Sequence, residues 1–230
     1  MMWNKARIEI QKKRICFMIT ILIGRIIAKI FCEVLAIILL EKITKKTKRI
    51  AILGMKGSGK TTMWNQLQNK IQAAPPAATS EEKIESFTIK SDNKKVYVPE
   101  TKDIGGGDDW VCYYSEIINS DGTYIYFLVD LTNLHEKDRA LGIRARLLKI
   151  SSIIKEKRLK NCGCKILATN KKKYIMSGLE QQYGNPQEYV KKSLKLHTLE
   201  KMQIDIDSAI LPVELTDEDD IMKLKNEITA

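Results

Sequence analysis

Eight consecutive residues of this sequence have the types and the spacing that hold a phosphate chain. The segment Gly54 to Thr61, GMKGSGKT, matches the pattern GxxxxGK[ST]. Glycines let the backbone turn sharply, so that successive N–H groups point at phosphate oxygens, and the N-terminus of a following helix adds positive potential. In such a loop Lys60 reaches the β- and γ-phosphates, and the Thr61 hydroxyl is a ligand of Mg²⁺. The pattern predicts a P-loop in which Lys60 is also catalytic and whose nucleotide-binding residues are Gly54, Lys56, Gly57, Ser58, Gly59, Lys60, Thr61 and Thr62.

A second segment with chemical potential is Asp103-Ile104-Gly105-Gly106, which begins 43 residues after Lys60 and follows a predicted strand at Val96–Val98. An aspartate at the carboxyl end of a strand can hold Mg²⁺ through water. The N–H of Gly106 can contact a γ-phosphate, because a residue without a Cβ lets the backbone come close. We therefore expect Asp103 to be a metal-binding residue and Gly106 a catalytic one.

Strands and helices alternate along the chain from residue 49 onward, as the positioning of these loops requires. Predicted strands are Arg49–Leu53, Glu85–Ser91, Lys95–Val98, Thr123–Leu131, Lys165–Ala168 and Ala209–Leu215. Predicted helices are Gly59–Ile71, Lys137–Lys157, Gln187–Met202 and a closing helix capped by Thr216. Alternation of this kind predicts a three-layer α/β fold with a mostly parallel sheet, the P-loop NTPase architecture, over residues 49–230.

The first 48 residues have a different character, which predicts a membrane anchor. Of 39 Lys and Arg and 28 Asp and Glu in the chain, residues 1–49 hold 12 and 3. These basic residues flank the apolar run Ile15–Leu40, in which Arg25, Lys29 and Glu33 form one stripe of a long hydrophobic helix. Basic clusters beside an apolar segment suit anionic lipid headgroups, whereas a nucleic-acid footprint would be expected on the nearly neutral remainder. Membrane lipid is thus the expected partner, and nucleic acid is not.

The manner of membrane attachment is left open by the residues themselves. The run of 26 residues is long enough to span a bilayer, but its three charges make the insertion energy marginal. It could also lie in the interface, or be buried against protein. Basic clusters on both sides leave the orientation undecided by the positive-inside rule, and we place the nucleotide-binding domain in the cytoplasm, where nucleotides are.

The chain resembles the Ras-like small GTPases, nearest to the ADP-ribosylation-factor and signal-recognition-particle-receptor beta-subunit branches. The resemblance rests on GMKGSGKT, DIGG and the strand YIYFLVDLTN. It implies GTP or GDP with Mg²⁺ as ligands, and two loops, Ala73–Ser86 and Asp103–Tyr114, that change with the nucleotide and bind a protein effector. It also implies Thr79 as a further Mg²⁺ ligand, with Ser80 and Thr88 as competitors for that role.

Two departures from this family pattern bear on activity and specificity. Gly107 stands where many relatives have the glutamine that positions the attacking water, so intrinsic hydrolysis should be slow. The guanine-reading motif NKxD is met by Asn170 and Lys171, but Lys173 replaces its aspartate. That aspartate accepts hydrogen bonds from guanine, and a lysine offers only donors. The last base-contacting loop has Glu214-Leu215-Thr216 and lacks the usual Ser-Ala.

Other readings therefore compete with a membrane-associated GTPase-like switch. One is a P-loop ATPase or nucleotide kinase, in which Asp130 would be a Mg²⁺ ligand, although an aspartate after a buried strand more often caps the next helix. Another is a module that binds nucleotide without hydrolysing it. Trp110, Tyr113 and Tyr114, just after DIGGG, could form an effector patch or close the core.

Overall fold

The computed structural model describes residues 24–25, 27–35, 46–70, 81–91, 94–196 and 210–230. The chain divides into two compact units, Met1–Lys45 and Lys46–Ala230. In the first unit residues 24–25 and 27–35 are helical and exposed to solvent. Within the described residues no helix combines the length and the apolar character needed to cross a membrane. The rest of the predicted long hydrophobic helix lies outside the described residues.

A four-stranded parallel sheet forms the centre of the second unit. Its strands are β2 (Arg49–Gly54), β7 (Thr123–Asp130), β8 (Gly163–Thr169) and β9 (Ile210–Pro212), in that spatial order. Ile52 lies opposite Tyr126, and Phe127 opposite Ile166. Such strands read as continuous apolar runs because both faces are covered. The predicted α/β class with a mostly parallel sheet is confirmed.

Five further strands within the described residues pair apart from this sheet. They are β1 (Lys46–Thr47), β3 (Glu81–Ile84), β4 (Phe87–Ser91), β5 (Lys94–Val98) and β6 (Thr101–Ile104). In one group β5 lies between β1, to which it is parallel, and β4, to which it is antiparallel, while β3 and β6 pair antiparallel. Sequence analysis missed β3 and β6, because EEKI and TKDI are too polar to show a buried face.

The helices of this unit are α1 (Lys60–Leu67), α2 (Tyr114–Ile117), α3 (Lys137–Glu156), α4 (Lys171–Met176), α5 (Leu179–Tyr183), α6 (Pro186–Leu194) and α7 (Glu218–Thr229). Among the described residues, 3₁₀ turns span Asp108–Tyr113 and Leu131–Asn133.

The bounds of the helices differ from those predicted. The helix predicted over Gly59–Ile71 spans Lys60–Leu67, and the one predicted over Lys137–Lys157 ends at Glu156. The helix predicted over Gln187–Met202 begins at Pro186 and ends at Leu194, because Lys195 is left-handed with φ 46°. The cap of α7 is Asp217, whose side chain accepts from the Asp220 N–H, so the prediction of Thr216 as the cap was wrong by one residue.

The sheet has an apolar core on each face, which makes three layers. On one face Leu53 and Phe127 pack in a cluster with Leu147 of α3 and Val190 of α6. On the other face Ile52 and Leu128 belong to a cluster with Trp64 of α1 and Leu224 of α7. Alternate residues of β2 and β7 thus point into opposite cores. Both strands are fixed from two sides, and the loop that follows β2 starts from a rigid position.

Candidate nucleotide-binding site

The loop between β2 and α1 has the backbone shape of a phosphate cradle. Gly54, Gly57 and Gly59 have φ of 152°, 80° and 96°, a region that favours glycine. A Cβ at Gly54 would come within 2.7 Å of the Leu128 carbonyl oxygen, and one at Gly59 within 2.6 Å of Leu215 Cδ1. The two outer glycines are therefore favoured both by conformation and by close neighbours, which are Leu128 of β7 at Gly54 and the Leu215 side chain at Gly59.

Lys60 begins α1 and is held against this loop. Its side chain is largely buried, and Nζ donates to the Met55 carbonyl oxygen at 3.3 Å. Burial lowers the pKa of the Lys60 ammonium, while the nearby Asp103 carboxylate opposes that shift. The bond to Met55 folds the lysine back over the loop, so its charge is already placed where a phosphate chain would lie.

Thr61 and Asp103 meet although 42 positions separate them. The Thr61 hydroxyl donates to Asp103 Oδ2 at 2.6 Å, and Asp103, on β6, is fully buried. Its other oxygen, Oδ1, has no hydrogen-bond partner among the described residues. Burial raises the pKa of the Asp103 carboxyl, whereas the Thr61 bond and the Lys60 charge lower it.

A divalent cation fits this pair of residues. A carboxylate and a hydroxyl are the hard oxygen donors that Mg²⁺ prefers, with phosphate oxygens and water completing its shell. The buried, unpartnered Oδ1 of Asp103 is the kind of atom that otherwise costs free energy to bury. No group of three or more His, Cys, Asp or Glu that could hold a metal occurs in the described parts of the chain. A cation here would thus depend on the nucleotide for its remaining ligands.

The loop after Asp103 lies directly on the P-loop. The Lys56 N–H donates to the Gly106 carbonyl oxygen at 3.1 Å. A Cβ on Gly106 would come within 2.2 Å of the Lys56 nitrogen, so no larger residue fits. The indole of Trp110 packs against Gly105 in the same way, since a Cβ there would meet its Nε1 at 2.2 Å. The Lys56 N–H, one of the backbone donors of the P-loop, is therefore already bonded to the loop that follows Asp103.

Two arginines of α3 hold both loops, and sequence analysis did not identify their role. Arg146 is almost fully buried, and its Nη2 donates to the Gly106 carbonyl oxygen at 3.1 Å and to Asp108 Oδ1 at 2.8 Å. Arg139 Nη2 donates to the Lys56 carbonyl oxygen at 2.6 Å. The two lie seven positions apart on one helix face, and this spacing is the signal that sequence analysis could have used.

The end of β8 faces a second, open depression of about 500 Å³. Asn170, in the left-handed conformation with φ 59°, precedes α4, and Thr169 Oγ1 donates to the Ser58 carbonyl oxygen at 3.0 Å. The depression is lined in part by Asn170, Lys173 and Glu214. The polar residues predicted to contact a base are therefore tied to the P-loop through Thr169.

The other residues predicted for the site are Thr79, Asp130, Thr62 and Lys171. Thr79 lies outside the described residues, as does most of the first predicted switch loop. Asp130 caps the turn after β7: its Oδ1 accepts from the Thr132 N–H at 2.9 Å, and its Oδ2 from the Asn133 amide at 3.1 Å. This capping role differs from that of a Mg²⁺ ligand. Thr62 is half-buried in α1, and Lys171 Nζ lies 3.8 Å from Asp220 Oδ2.

The three aromatic residues after the DIGG segment divide between core and surface. Tyr114 is buried in the core, Tyr113 is partly exposed, and Trp110 is half-buried with its ring centroid 5.3 Å from that of Tyr113. Trp110 and Tyr113 therefore remain candidates for a partner surface, whereas Tyr114 closes the core.

Comparison with known proteins identifies a family for the chain. The model of the ADP-ribosylation factor family matches residues 34–227. The chain has no match among curated protein sequences. Among solved structures it resembles "Structure of methanosarcina barkeri Roco2 RocCORdC bound to GDP", with a TM-score of 0.48, 11% identity and 80% of this chain covered. The match spans 48% of the Roco2 chain.

Proposed function

This chain belongs to the ADP-ribosylation factor family, and we propose that it is a membrane-associated, Mg²⁺-dependent guanine-nucleotide switch with slow intrinsic hydrolysis. The match covers most of the chain, including all but the last three residues of the P-loop domain. The chain is accordingly a small GTPase-like nucleotide-binding protein. The proposal goes further in its metal, its rate of hydrolysis, its partners and its location.

The observation that carries the switch is the contact between Gly106 and Lys56. A switch needs a loop that touches the phosphate cradle and changes when a γ-phosphate is present. Here the Gly106 carbonyl oxygen occupies the Lys56 N–H at 3.1 Å, so a nucleotide that needs this donor must displace the loop. Trp110 packs on the adjacent Gly105 and so reports on that movement.

The test is nucleotide binding by the full chain with GDP, GTP, ADP and ATP in the presence of Mg²⁺. The proposal expects guanine nucleotides to bind more than tenfold tighter than adenine nucleotides, a difference above about 1.4 kcal/mol. It also expects GTP and GDP to give different Trp110 fluorescence, with Trp110→Phe as the control that removes the signal. Equal binding of ATP and GTP would contradict a guanine switch and favour an ATPase.

We propose that Thr61 and Asp103 are the residues that hold Mg²⁺. When bound, it would neutralise charge that develops on the phosphate oxygens. Asp103→Asn removes one negative charge and should weaken Mg²⁺-dependent GTP binding while leaving binding in EDTA nearly unchanged. The exposed Glu116→Gln is the matched control, because it removes a carboxylate outside this site.

Membrane association rests on a stripe of exposed apolar side chains on the helical segment 27–35. Its members are Ile27, Ile30, Phe31, Val34 and Leu35, at the spacing of one helix face. Such a stripe with basic residues nearby suits a membrane interface. Flotation with anionic vesicles should be lost in Phe31→Glu and kept in Cys32→Glu, which adds the same charge about 100° farther around the helix, outside the stripe. We place the nucleotide-binding domain in the cytoplasm, and protease protection in sealed vesicles checks this orientation.

A nucleotide-binding module that does not hydrolyse is the second candidate function, favoured by Gly107. This residue carries no side chain that could orient water, although the space beside it is open: an added Cβ would have Trp110 Cδ1 at 3.8 Å as its nearest neighbour. Single-turnover hydrolysis of GTP distinguishes this non-hydrolysing module from a slowly hydrolysing switch.

For either function we propose that Trp110 and Tyr113 form the surface that binds a protein effector.

A further inference from the structure

Guanine recognition poses a problem in this chain, because the carboxylate expected at the base is absent. The guanine edge presents N1–H and a 2-amino group, which are both donors and require acceptors. Lys173, at the position of the usual aspartate, has an ammonium group and no acceptor. The described depression beside Asn170 nevertheless contains one carboxylate, that of Glu214.

We propose that Glu214 is the residue that selects guanine, in place of the aspartate that Lys173 replaces. This inference rests on the proposed function and assigns its base specificity to one side chain. Glu214 follows β9, the strand next to β8, and its side chain reaches across to the start of α4. It thereby comes to the same end of the sheet as Asn170.

The hydrogen bonds of Glu214 fix its carboxylate and leave it able to accept more. Oε2 accepts from the Lys172 N–H at 3.0 Å, and Oε1 accepts from the Thr216 hydroxyl at 3.0 Å. Each carboxylate oxygen can accept two hydrogen bonds, so one position remains on each. Two parallel acceptors on one planar group match the two neighbouring donors of guanine.

The burial of Glu214 supports a binding role. The residue is only 7% exposed and lines the depression together with Lys173 and Asn170. Two lysines of α4 are paired with other carboxylates: Lys172 Nζ lies 2.8 Å from Asp217 Oδ2, and Lys171 Nζ lies 3.8 Å from Asp220 Oδ2. A buried carboxylate with two neutral donors gains further stabilisation from a ligand that supplies two more.

Structural capping is the competing role for Glu214, and a conservative substitution separates the two. Glu214→Gln keeps one oxygen, which can still accept from the Lys172 N–H, so a capping role would be largely preserved. It replaces the other acceptor by an amide donor, which opposes the guanine 2-amino group. The same donor complements the 2-carbonyl oxygen of xanthine. A capping residue would change stability without changing the choice of base.

The experiment measures binding of GDP, IDP, XDP and ADP to the full chain and to Glu214→Gln. Hypoxanthine, the base of IDP, lacks the 2-amino group, so the ratio of GDP to IDP affinity isolates that contact. We expect wild type to prefer GDP over IDP at least tenfold. In Glu214→Gln the preference should fall to about threefold or less, and XDP should gain at least tenfold in affinity. Asp217→Asn, which removes a nearby carboxylate outside the depression, should leave these ratios unchanged.

Two outcomes overturn the inference in distinguishable ways. If wild type binds ADP as tightly as GDP, the proposed function fails and Glu214 has no guanine to select. If wild type prefers GDP but Glu214→Gln keeps both the GDP-to-IDP ratio and the rejection of XDP, the function stands and Glu214 is only a cap. A second variant covers poor folding of the first: Lys173→Asp in the otherwise unchanged chain returns a carboxylate to α4. It should change the GDP-to-IDP ratio by less than about threefold, because Glu214 already accepts from guanine, and a rise of tenfold or more would overturn the inference.

Discussion

Arg146 and Gly106 are joined by a hydrogen bond from a buried guanidinium to a loop carbonyl oxygen, 3.1 Å long. The same carbonyl oxygen accepts from the Lys56 N–H, so one atom ties α3, the DIGG loop and the P-loop together. Arg146 Nη2 also pairs with Asp108, whose side chain is exposed. This arrangement holds the loop on the phosphate cradle and must be rearranged if the loop moves.

The first prediction concerns the cost of that rearrangement. Arg146→Met removes the bond to Gly106 while retaining much of the buried side-chain volume. Each lost hydrogen bond is worth about 0.5–1.5 kcal/mol, and more where a charge is involved. The loop should then leave Lys56 more readily, and the ratio of GTP to GDP affinity should rise about threefold to tenfold. Titration with fluorescent GDP and a non-hydrolysable GTP analogue measures it.

Arg144→Met is the matched control for this change. Arg144 lies on the same helix, but it donates to the Leu194 carbonyl oxygen at 2.7 Å, away from both loops. Arg144→Met should leave the ratio of GTP to GDP affinity unchanged. An equal ratio in wild type and Arg146→Met, with both proteins folded by circular dichroism, would show that Arg146 has only a structural role.

The second prediction uses the difference in space around two adjacent glycines. Gly106→Ala forces a Cβ to within 2.2 Å of the Lys56 nitrogen, so the loop must move off the P-loop. Gly107→Ala meets nothing nearer than 3.8 Å and is the control. We expect Gly106→Ala to lose the Trp110 fluorescence difference between GDP and GTP while still binding GDP, and Gly107→Ala to keep it. Wild-type behaviour of Gly106→Ala would contradict the loop contact.

Sequence analysis predicted the features that depend on residues close together in the chain and missed those that depend on residues far apart. The P-loop conformation is local, since the glycines and Lys60 lie between one strand and one helix, and it could be read from eight residues. Asp103 was predicted as a metal-binding residue from its DxxG spacing. The strand on which it lies, β6, was not predicted, because that strand is formed by pairing with β3. The contacts of Arg146 and Glu214 depend on how distant elements pack: the spacing of Arg139 and Arg146 places both on one helix face, but a single sequence does not show which loops that face contacts.

The third prediction concerns hydrolysis. Gly107 has φ −72° and ψ 171°, which any residue can adopt, and its neighbourhood is open. Gly107→Gln therefore introduces a water-positioning amide without strain. We expect the intrinsic GTP hydrolysis rate to rise on the order of tenfold, which is less than the roughly 10²–10⁴-fold typical of a well-placed general acid or base, because no arginine is added with it. Single-turnover assays decide, with Gly107→Ala as the control that adds bulk without an amide.

The fourth prediction is a loss of stability at high pH. Burial raises the pKa of the Cys164 thiol from 9.0 to about 12, and burial likewise raises the pKa of Tyr114 from 10.0 to about 12. In the unfolded chain both groups ionise near their ordinary values. Between about pH 9 and 12 the unfolded state therefore holds fewer protons than the native one, and the free energy of unfolding falls as pH rises. Each of these two groups lowers the free energy of unfolding by at most about 1.4 kcal/mol for each pH unit.

Urea denaturation between pH 7.5 and pH 11 measures this slope, and two cysteine variants assign part of it. Cys164→Ala removes the buried thiol, so its free energy of unfolding should start lower at pH 7.5 but decline less steeply above pH 9. Cys112→Ala removes an exposed thiol and should decline as wild type does. In the folded wild type at pH 9, iodoacetamide should label Cys112 and spare Cys164 until urea is added. Equal labelling of both in native protein would mean that Cys164 is not buried as the core requires.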